Sequence, residues 1–289
     1  MSEPPARDVL RVPFQEAETI IIVEPRGQRH FVKLKPGDKF HHRRTGHISH
    51  DEIIGSPPGS HLLSQQGIRV VCLRLTLEDY ILKRLRRRTS IIHPKDLATL
   101  LVRGDLYPGA RVLEAGLGSG ATATVLLRFI GSEGILISYE RREEFVELAL
   151  SNISEARGLL GDSGTPHDVK LSDVYDGIEE EDLDLVLLDV PEPHRATGHA
   201  YRALRPGGIL LSWLPTVTQV YQLVRQLQEE PGWSPVETRE TLQRSWEVAE
   251  NAMRPFHRMV GHTGFLIRTR KLELGADKSK ASPQSHQGH

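Results

Sequence analysis

The chain has 289 residues, enough for one large domain with a satellite or for two domains, and its 38% hydrophobic and 26% charged content is ordinary for a soluble globular protein. A single cysteine, Cys72, excludes an intramolecular disulfide and a cysteine-rich zinc site, and no signal peptide or membrane-length apolar run is visible, so a cytoplasmic location is the expectation. The net charge of −1, from 37 basic and 38 acidic residues, gives no bulk attraction to nucleic acid, so any such partner must be held by local charge.

Residues 1 to about 12 carry two prolines and no periodicity and read as loose. Residues 13–78 read as a small β-rich module. Short apolar runs such as Thr19-Ile20-Ile21-Ile22-Val23, His30-Phe31-Val32-Lys33-Leu34 and Arg69-Val70-Val71-Cys72-Leu73-Arg74-Leu75 alternate with turn signals. These are Pro25-Arg26-Gly27, Lys35-Pro36-Gly37-Asp38 and Ser56-Pro57-Pro58-Gly59. Cys72 lies inside an apolar run and reads as a core thiol. His41, His42, His47 and His50 crowd this module, but no cysteine or close carboxylate set accompanies them, so a polar loop is expected and no metal site. Arg26, Arg29, Lys33, Lys35, Lys39, Arg43 and Arg44 make the module basic, and the dense run Lys83-Arg84-Leu85-Arg86-Arg87-Arg88 follows. That run is either a solvated face or a phosphate contact.

Beyond Thr76 helices alternate with apolar strands, and residues 79–272 form the larger unit. Strands are expected at 111–115, 135–139, 168–171, 184–190 and 208–213, with helices at 96–104, 121–130, 142–157 and 195–204. Such alternation implies an α/β fold with a mostly parallel sheet and helices on both faces. Arg205-Pro206-Gly207-Gly208 reads as a helix end, a turn and a strand start. Residues 273–289 are polar and expected to be disordered.

The segment Arg111-Val112-Leu113-Glu114-Ala115-Gly116-Leu117-Gly118-Ser119-Gly120 reads as a buried strand entering a glycine-rich turn, with an apolar helix from Ala121 to Ile130. Gly116, Gly118 and Gly120 let the backbone bend and approach a ligand, and the helix presents its N-terminal amides to that ligand. Gly116, Gly118 and Ala121 loosely satisfy the dinucleotide pattern, so the glycines leave NAD open. Glu114, just before the first glycine, would repel a pyrophosphate and attract the cationic amino-acid end of S-adenosyl-L-methionine. Glu140 ends the next strand, 24 residues after Gly116, where a carboxylate can hydrogen-bond both hydroxyls of an adenosine ribose; the alternative is a solvated acid at a helix start.

In an open parallel sheet, ligands sit outside the carboxyl ends of the strands. The run Asp184-Leu185-Val186-Leu187-Leu188-Asp189 delivers Asp189 there, followed by the stiff segment Val190-Pro191-Glu192-Pro193. Asp189 is therefore a candidate for catalysis or substrate binding, against a role capping the next helix. Asp173 ends the preceding strand, where it either accepts a hydrogen bond from an adenine amino group or forms a turn.

Together these residues resemble the class I methyltransferases that use S-adenosyl-L-methionine. Five motifs in order sharpen the resemblance. They are Ile91-Ile92-His93-Pro94-Lys95-Asp96, Leu113 to Gly120, Leu188-Asp189-Val190-Pro191-Glu192-Pro193, Thr218-Gln219-Val220, and Val260-Gly261-His262-Thr263-Gly264-Phe265-Leu266. This order is similar to the tRNA (adenine-N1)-methyltransferases that act at position 58 in the T-loop. Glu240-Thr241-Leu242-Gln243-Arg244 and Met253-Arg254-Pro255 resemble the bacterial, especially the actinobacterial, branch. The resemblance covers the chain except its two ends. It implies a Rossmann-like class I methyltransferase domain with a small N-terminal β-rich domain, assembled as a homotetramer that binds tRNA.

On the family pattern Asp189 matches the acid that contacts the target adenine, and His93 matches a Tyr or His position bordering the substrate pocket. Glu140 matches the ribose ligand and Asp173 the adenine-side acid. Glu114, Gly116, Leu117, Gly118, Ser119, Gly120 and Ala121, with Asp189, complete the expected cofactor shell. There are departures: Ser90 stands where many relatives have Gln, and Pro191 replaces a bulky residue common in some bacterial members. Archaeal relatives, which resemble this chain at Pro191, can also methylate position 57.

The implied chemistry needs no metal, because the sulfonium is already an activated donor. Asp189 would accept a hydrogen bond from the adenine N6 amine as positive charge builds on the ring. The base must swing out of the folded T-loop, which costs about a few kcal/mol, and backbone contacts from Lys83 to Arg88 and the N-terminal module could offset that cost. Three rival readings remain at this level: a methyltransferase with a small-molecule or protein substrate, a non-catalytic RNA-binding subunit, and a NAD-dependent oxidoreductase. The first fits the N-terminal module and Gly261-His262-Thr263-Gly264 poorly.

Overall fold

A computed structural model of the chain describes residues 11–249 and 252–273; most of the polar tail, 274–289, lies outside them. The N-terminal module begins with β1 (Thr19–Val23), β2 (Arg29–Lys33), β3 (Lys39–His42), β4 (Gly46–Ser49) and the short helix α1 (His50–Ile53). It continues with β5 (His61–Leu63) and β6 (Arg69–Arg74). β2-β1-β6-β5 form an antiparallel sheet, and β3 and β4 a separate hairpin.

The period-2 alternation of the first apolar run decides how the module sits. Ile20 and Ile22 point into the module's own core with Phe14, Leu34, Ile48 and Cys72. Ile21 points the other way, into the large domain's core beside Leu75, Tyr80 and Ile81. β1 is thus buried on both faces, between the module's own core and that of the large unit. Arg29 adds a 2.6 Å ion pair to Asp79 at the start of the large unit.

The histidine-rich stretch is a correction to the sequence reading. It forms the β3–β4 hairpin rather than a polar loop, with His41 opposite His47 in the register and only Arg43-Arg44-Thr45 as its turn. His50 is buried in α1.

A short helix, α2 (Leu77–Asp79), is closed at its start by a reciprocal Thr76–Asp79 capping box and runs directly into a π-helical turn, Tyr80–Arg84. The large unit then follows in order. Its elements are α3 (Pro94–Arg103), β7 (Arg111–Ala115), α4 (Ala121–Ile130), β8 (Ile135–Glu140), α5 (Glu143–Leu160), β9 (His167–Leu171), β10 (Leu183–Leu188), α6 (Thr197–Ala203), β11 (Leu204–Leu214), α7 (Val217–Glu229), β12 (Glu237–Glu240), β13 (Trp246–Ala249), β14 (Ala252–Pro255) and β15 (Phe265–Arg270).

Its seven-stranded sheet runs β12-β15-β11-β10-β7-β8-β9. β9, β8, β7, β10 and β11 are parallel; β15 runs opposite to them, and β12, antiparallel to β15, shares the direction of the parallel strands. Val112, Leu185 and Leu187 face the side covered by α3, α4 and α5, and Leu113, Val186 and Leu188 the side covered by α6 and α7. Chain order runs outward from β7 through β8 and β9 on one side, and from β10 through β11 on the other. The topological switch point therefore falls between β7 and β10, whose carboxyl ends form a ligand crevice.

Arg205-Pro206-Gly207-Gly208, read as helix end, turn and strand start, lies within β11 as an irregularity. Leu183 pairs with Leu204 and Leu185 already with Ile209, so extra residues loop out on the β11 side.

Candidate functional site

The crevice at the switch point holds a cavity of about 300 Å³. Its walls include Gly116, Leu117, Gly118, Ser119, Ala121, Glu140 and Asp189. A second cavity of about 130 Å³ adjoins it, sharing Gly116, Glu140 and Asp189 and adding Asp173, Val174 and Tyr175. The pair matches the lower range of small-molecule sites. Gly120 and Glu114 do not line either cavity.

The glycine turn earns its composition at Gly116. Its φ is +96°, and a Cβ there would lie 2.2 Å from the backbone oxygen of Asp189. Only hydrogen fits, so the turn after β7 and the end of β10 touch backbone to backbone. Asp189 N–H donates to the Ala115 carbonyl at 2.9 Å, continuing the strand pairing into the site. Gly120, at φ +78°, caps α4 and packs against Ala149 of α5, so it shapes the turn from behind.

Glu140 is almost fully buried and tied to the turn. Its Oε2 accepts from Gly118 N–H at 3.1 Å, and its Oε1 accepts from the backbone N–H groups of Arg141 and Arg142 and from Arg142 Nε at 3.1–3.2 Å. A carboxylate has about four lone-pair sites, so these bonds leave Oε2 capacity for one ligand hydroxyl. The sequence reading had Glu140 take both ribose hydroxyls; in this side-chain arrangement one acceptor site is open, and a second requires Arg142 Nε to give way.

Glu114 differs in charge from the sequence reading. It is 2% exposed, and its Oε1 accepts from Ser138 Oγ at 2.7 Å. Burial pushes its pKa up to about 8, against the opposing hydrogen bond from Ser138 and with help from the nearby Asp189 and Glu140 charges. At neutral pH it is mainly a neutral acid, not the anion on which the sequence argument relied. Ser138 Oγ also meets His167 Nε2 at 2.8 Å. With Ser138 donating to Glu114, the His167 tautomer that satisfies this contact carries its proton on Nε2. Burial pushes the His167 pKa down to about 4, which keeps that imidazole neutral.

Asp189 keeps some contact with solvent through the crevice, yet the protein packed around it pushes its pKa up to about 7. A carboxyl poised near neutrality in a cleft is a functional-site signature. Asp173 forms the turn and faces a cavity. Its Oδ1 accepts from Tyr175 N–H at 3.1 Å in a turn, while the residue lines the smaller cavity.

His93 is not brought into this crevice. It precedes α3, its Nδ1 is buried without a partner, and it lines a separate cavity of about 290 Å³ with Gln243, Phe256, Val260 and Thr263. Three quoted segments meet beside it. Lys95 Nζ donates to Asp96 Oδ1 (2.8 Å), the Thr241 carbonyl (2.6 Å) and Thr263 Oγ1 (2.6 Å), and Thr263 donates onward to Asp96 Oδ2 (2.7 Å). A salt bridge this buried is costly to break by removing one partner, so it locks the C-terminal motif onto α3.

Several site residues have no role in the sequence reading, Gln219 among them although its motif Thr218-Gln219-Val220 is quoted. Thr89, Trp213, Pro215 and Gln219 line the larger cavity, and Gln219 Nε2 donates to the Pro191 carbonyl at 3.0 Å. Fully buried Asn152 supports the turn: its Nδ2 donates to the carbonyls of Ser119 and Arg86, and its backbone carbonyl accepts from Tyr80 Oη. No short-range pattern singles out such an asparagine on a long helix. The Gln219 position was findable, because Thr216 with Gln219 three residues later is a helix-start signature.

The basic run is partly structural. Arg84 pairs with Glu155 at 2.7 Å, Arg86 donates to Ser151, and Arg87 donates to the carbonyls of Ile81 and Leu82 that end the π-helical turn. Lys83 and Arg88 are exposed, and neither side chain has a hydrogen bond or ion pair among the described residues.

Comparison with known proteins accords with this geometry. A family model described as tRNA methyltransferase complex GCD14 subunit matches residues 70–254, and one described as TrmI-like N-terminal matches residues 13–61. The tRNA (adenine(58)-N(1))-methyltransferase TrmI of Thermus thermophilus is 33% identical over 267 residues, 87% of this chain and 96% of that protein. The tRNA (adenine(57)-N(1)/adenine(58)-N(1))-methyltransferase TrmI of Methanocaldococcus jannaschii is 31% identical over 271 residues, 86% and 94% of the two chains. Among solved structures, tRNA (m1A58) methyltransferase TrmI from Aquifex aeolicus superposes with a TM-score of 0.78 at 29% identity, covering 91% of this chain and all of that one. A SAM-dependent O-methyltransferase from Thermotoga maritima gives 0.81 at 31% identity, covering 91% and 96%. With a model match over most of its length and relatives matched nearly end to end, the chain belongs to the tRNA methyltransferase family described as the GCD14 subunit, with a TrmI-like N-terminal module.

Proposed function

We propose that this protein transfers a methyl group from S-adenosyl-L-methionine to N1 of adenine 58 in the T-loop of tRNA. The observation that carries the proposal is the backbone contact between the Gly116 turn and Asp189, which puts one carboxyl on the wall of both adjoining cavities. The residues fit the cofactor in shape and donor set: a cradle that a Cβ would fill, a carboxylate with one remaining acceptor site on Glu140, and Asp173 at the far cavity. Bound S-adenosyl-L-methionine supplies an electrophilic methyl on a sulfonium, which adenine N1 receives.

The rest is work for this chain's own residues. Asp189 as a carboxylate accepts a hydrogen bond from the adenine N6 amine, favours the positive charge that develops on the ring, and takes up an N6 proton. Acid–base help of this kind is worth about 10²–10⁴-fold. Orientation of the base supplies much of the remainder, since good positioning contributes roughly 7–11 kcal/mol. Gly116, Leu117, Gly118, Ser119 and Ala121 shape the cofactor side. His93, in its own cavity, borders the path of the extruded base. Lys83 and Arg88 contact tRNA phosphates, and the assembly is a homotetramer in the cytoplasm. No described helix is long and apolar enough to cross a membrane.

The test is methyl transfer from labelled S-adenosyl-L-methionine to an unmodified tRNA transcript beside one with guanosine at position 58. Label on the first transcript alone is the expected result. Label on both would move the target to position 57, the second site named for the Methanocaldococcus relative, or to another base. Label on neither, with cofactor binding intact, would overturn the tRNA reading. Light scattering on the purified protein tests the tetramer.

A further inference from the structure

We propose that Glu24, His30 and His42 form a binding site for a divalent transition metal, zinc by its ligand chemistry, in the N-terminal module. The three residues come from three strand ends that the fold brings together. Glu24 follows β1, and its N–H donates to the Gln28 carbonyl in the β1–β2 turn. His30 lies in β2 opposite Ile22, and His42 ends β3 opposite Gly46. Ligands on strand ends are held by backbone pairing rather than by loop conformation.

Glu24 Oε1, His30 Nε2 and His42 Nδ1 all lie within 4.8 Å of one another. Oε1 is 3.1 Å from the His30 nitrogen, 2.5 Å from the His42 nitrogen and 2.6 Å from Thr45 Oγ1. Four-coordinate zinc with bonds of roughly 2.1 Å sets its ligand atoms about 3.4 Å apart, so shifts of under about 1 Å convert this cluster into a coordination shell. One carboxylate oxygen has two lone pairs, and here three polar groups converge on it. A cation between them would relieve that crowding, taking a lone pair from each imidazole. Thr45, 1% exposed, or a water would fill the fourth position.

The surroundings fit a structural ion. Glu24 is 8% exposed, so its carboxyl sits in a largely enclosed place where a cation would meet little competition from water. The donor set of two imidazoles and one carboxylate suits zinc and its neighbours rather than calcium or magnesium, which take oxygen cages. Bound metal would pin the β3–β4 hairpin to the β1–β2 turn, which the described strand pairing leaves in separate sheets. The sequence hid this site because its carboxylate and one imidazole lie outside the cluster of His41, His42, His47 and His50.

The experiment is titration of metal-free full-length protein with zinc chloride by calorimetry, with cobalt(II) absorption as a second readout. The wild type is expected to bind about one equivalent with a Kd of micromolar or tighter and to melt about 2–4 °C higher with zinc. The double variant His30→Gln/His42→Gln should lose that event, with at least tenfold weaker binding, while Glu24→Gln weakens it with little change in shape. The double variant is the comparator because it keeps every other histidine of the chain, so any binding by those is common to both proteins. Saturable binding that survives in it within threefold, or no tight event in the wild type, would overturn the proposal. Should the double variant fail to fold, cobalt(II) in the wild type decides: four-coordinate d–d bands support the site, and a spectrum like the aqua ion overturns it.

Discussion

Replacing Gly116 by alanine tests the contact on which the site rests. The new Cβ would lie 2.2 Å from Asp189 O and 3.0 Å from its carbonyl carbon, both backbone atoms that no rotamer change can move aside. Ordinary contact begins near 3.4 Å, so the two chain segments must part by more than 1 Å. The φ of +96° also lies beyond the left-handed region open to alanine, a penalty of roughly 1–2 kcal/mol or more. Parting the segments strains the Asp189 N–H bond to the Ala115 carbonyl, worth a further ~0.5–1.5 kcal/mol. The sum is about 2–3 kcal/mol, a 30- to 150-fold effect on an equilibrium. Scanning calorimetry should show a Tm lower by about 4–10 °C. Titration calorimetry should show S-adenosyl-L-methionine binding weakened by tenfold or more, because the displaced carbonyl moves Asp189 and the turn together. Gly118→Ala is the graded control. Its φ of +52° is one alanine can adopt, and its Cβ would meet only the side-chain oxygen of Thr89 at 3.2 Å, so it should lose less than half as much. If Gly116→Ala melted within 1 °C of wild type and bound cofactor within threefold, the close approach would not be what assembles the site.

The other expectations concern charge. Asp189→Asn should lower kcat/KM for tRNA by about 10²–10⁴-fold while leaving cofactor affinity within a few-fold; near-normal turnover would end its assignment. Because the acting form is the carboxylate and burial pushes its pKa to about 7, wild-type kcat/KM should rise with pH through about 7 and then level off, and the Asn variant should lack that rise. Glu114 is raised from an ordinary carboxyl value to about 8, so between those limits the folded chain keeps a proton that the unfolded chain has released. Its linkage therefore lowers stability as pH rises through that window. Glu114→Gln should make the change in Tm between pH 6 and pH 8.5 smaller, and an identical change in both proteins would show that Glu114 is already ionised. Lys83→Ala/Arg88→Ala should flatten the dependence of log K for tRNA on log salt by about 1–2 units without lowering Tm, whereas Arg87→Ala should lower Tm because its guanidinium closes the π-helical turn. An unchanged salt slope would take Lys83 and Arg88 off the RNA surface.

The legible parts of the sequence were those whose physics is local. The run from Val112 to Ala115, the glycines after it and the apolar helix from Ala121 to Ile130 each carry their own signal, and each lies where its pattern placed it. Some legible signals went unread. In α7 the apolar positions Val220, Leu223, Val224 and Leu227 recur at helical spacing behind a Thr216 cap, yet only Thr218 to Val220 drew notice, as a motif. Other features had no local signal to read. Glu237-Thr238-Arg239-Glu240 is wholly polar and becomes a strand only because β15 offers it an open edge, 25 or more residues later in the chain.

Side-chain chemistry was least legible where distance in sequence was greatest. The charge on Glu114 could not be judged from its neighbours, because what neutralises it is burial within the sheet, against the hydrogen bond from Ser138 on the adjoining strand. Lys95 and Asp96 sit side by side in the sequence as an unremarkable helix-start pair. Thr263 and the Thr241 carbonyl, more than 140 residues away, make them a buried lock. The same reasoning separates the arginines of the basic run. Arg84, Arg86 and Arg87 are already engaged with α5 or with the backbone they follow, so a contact with RNA at those positions must displace a bond inside the protein. Lys83 and Arg88 carry no such cost, so the salt dependence of tRNA binding should track these two charges more closely than the length of the run.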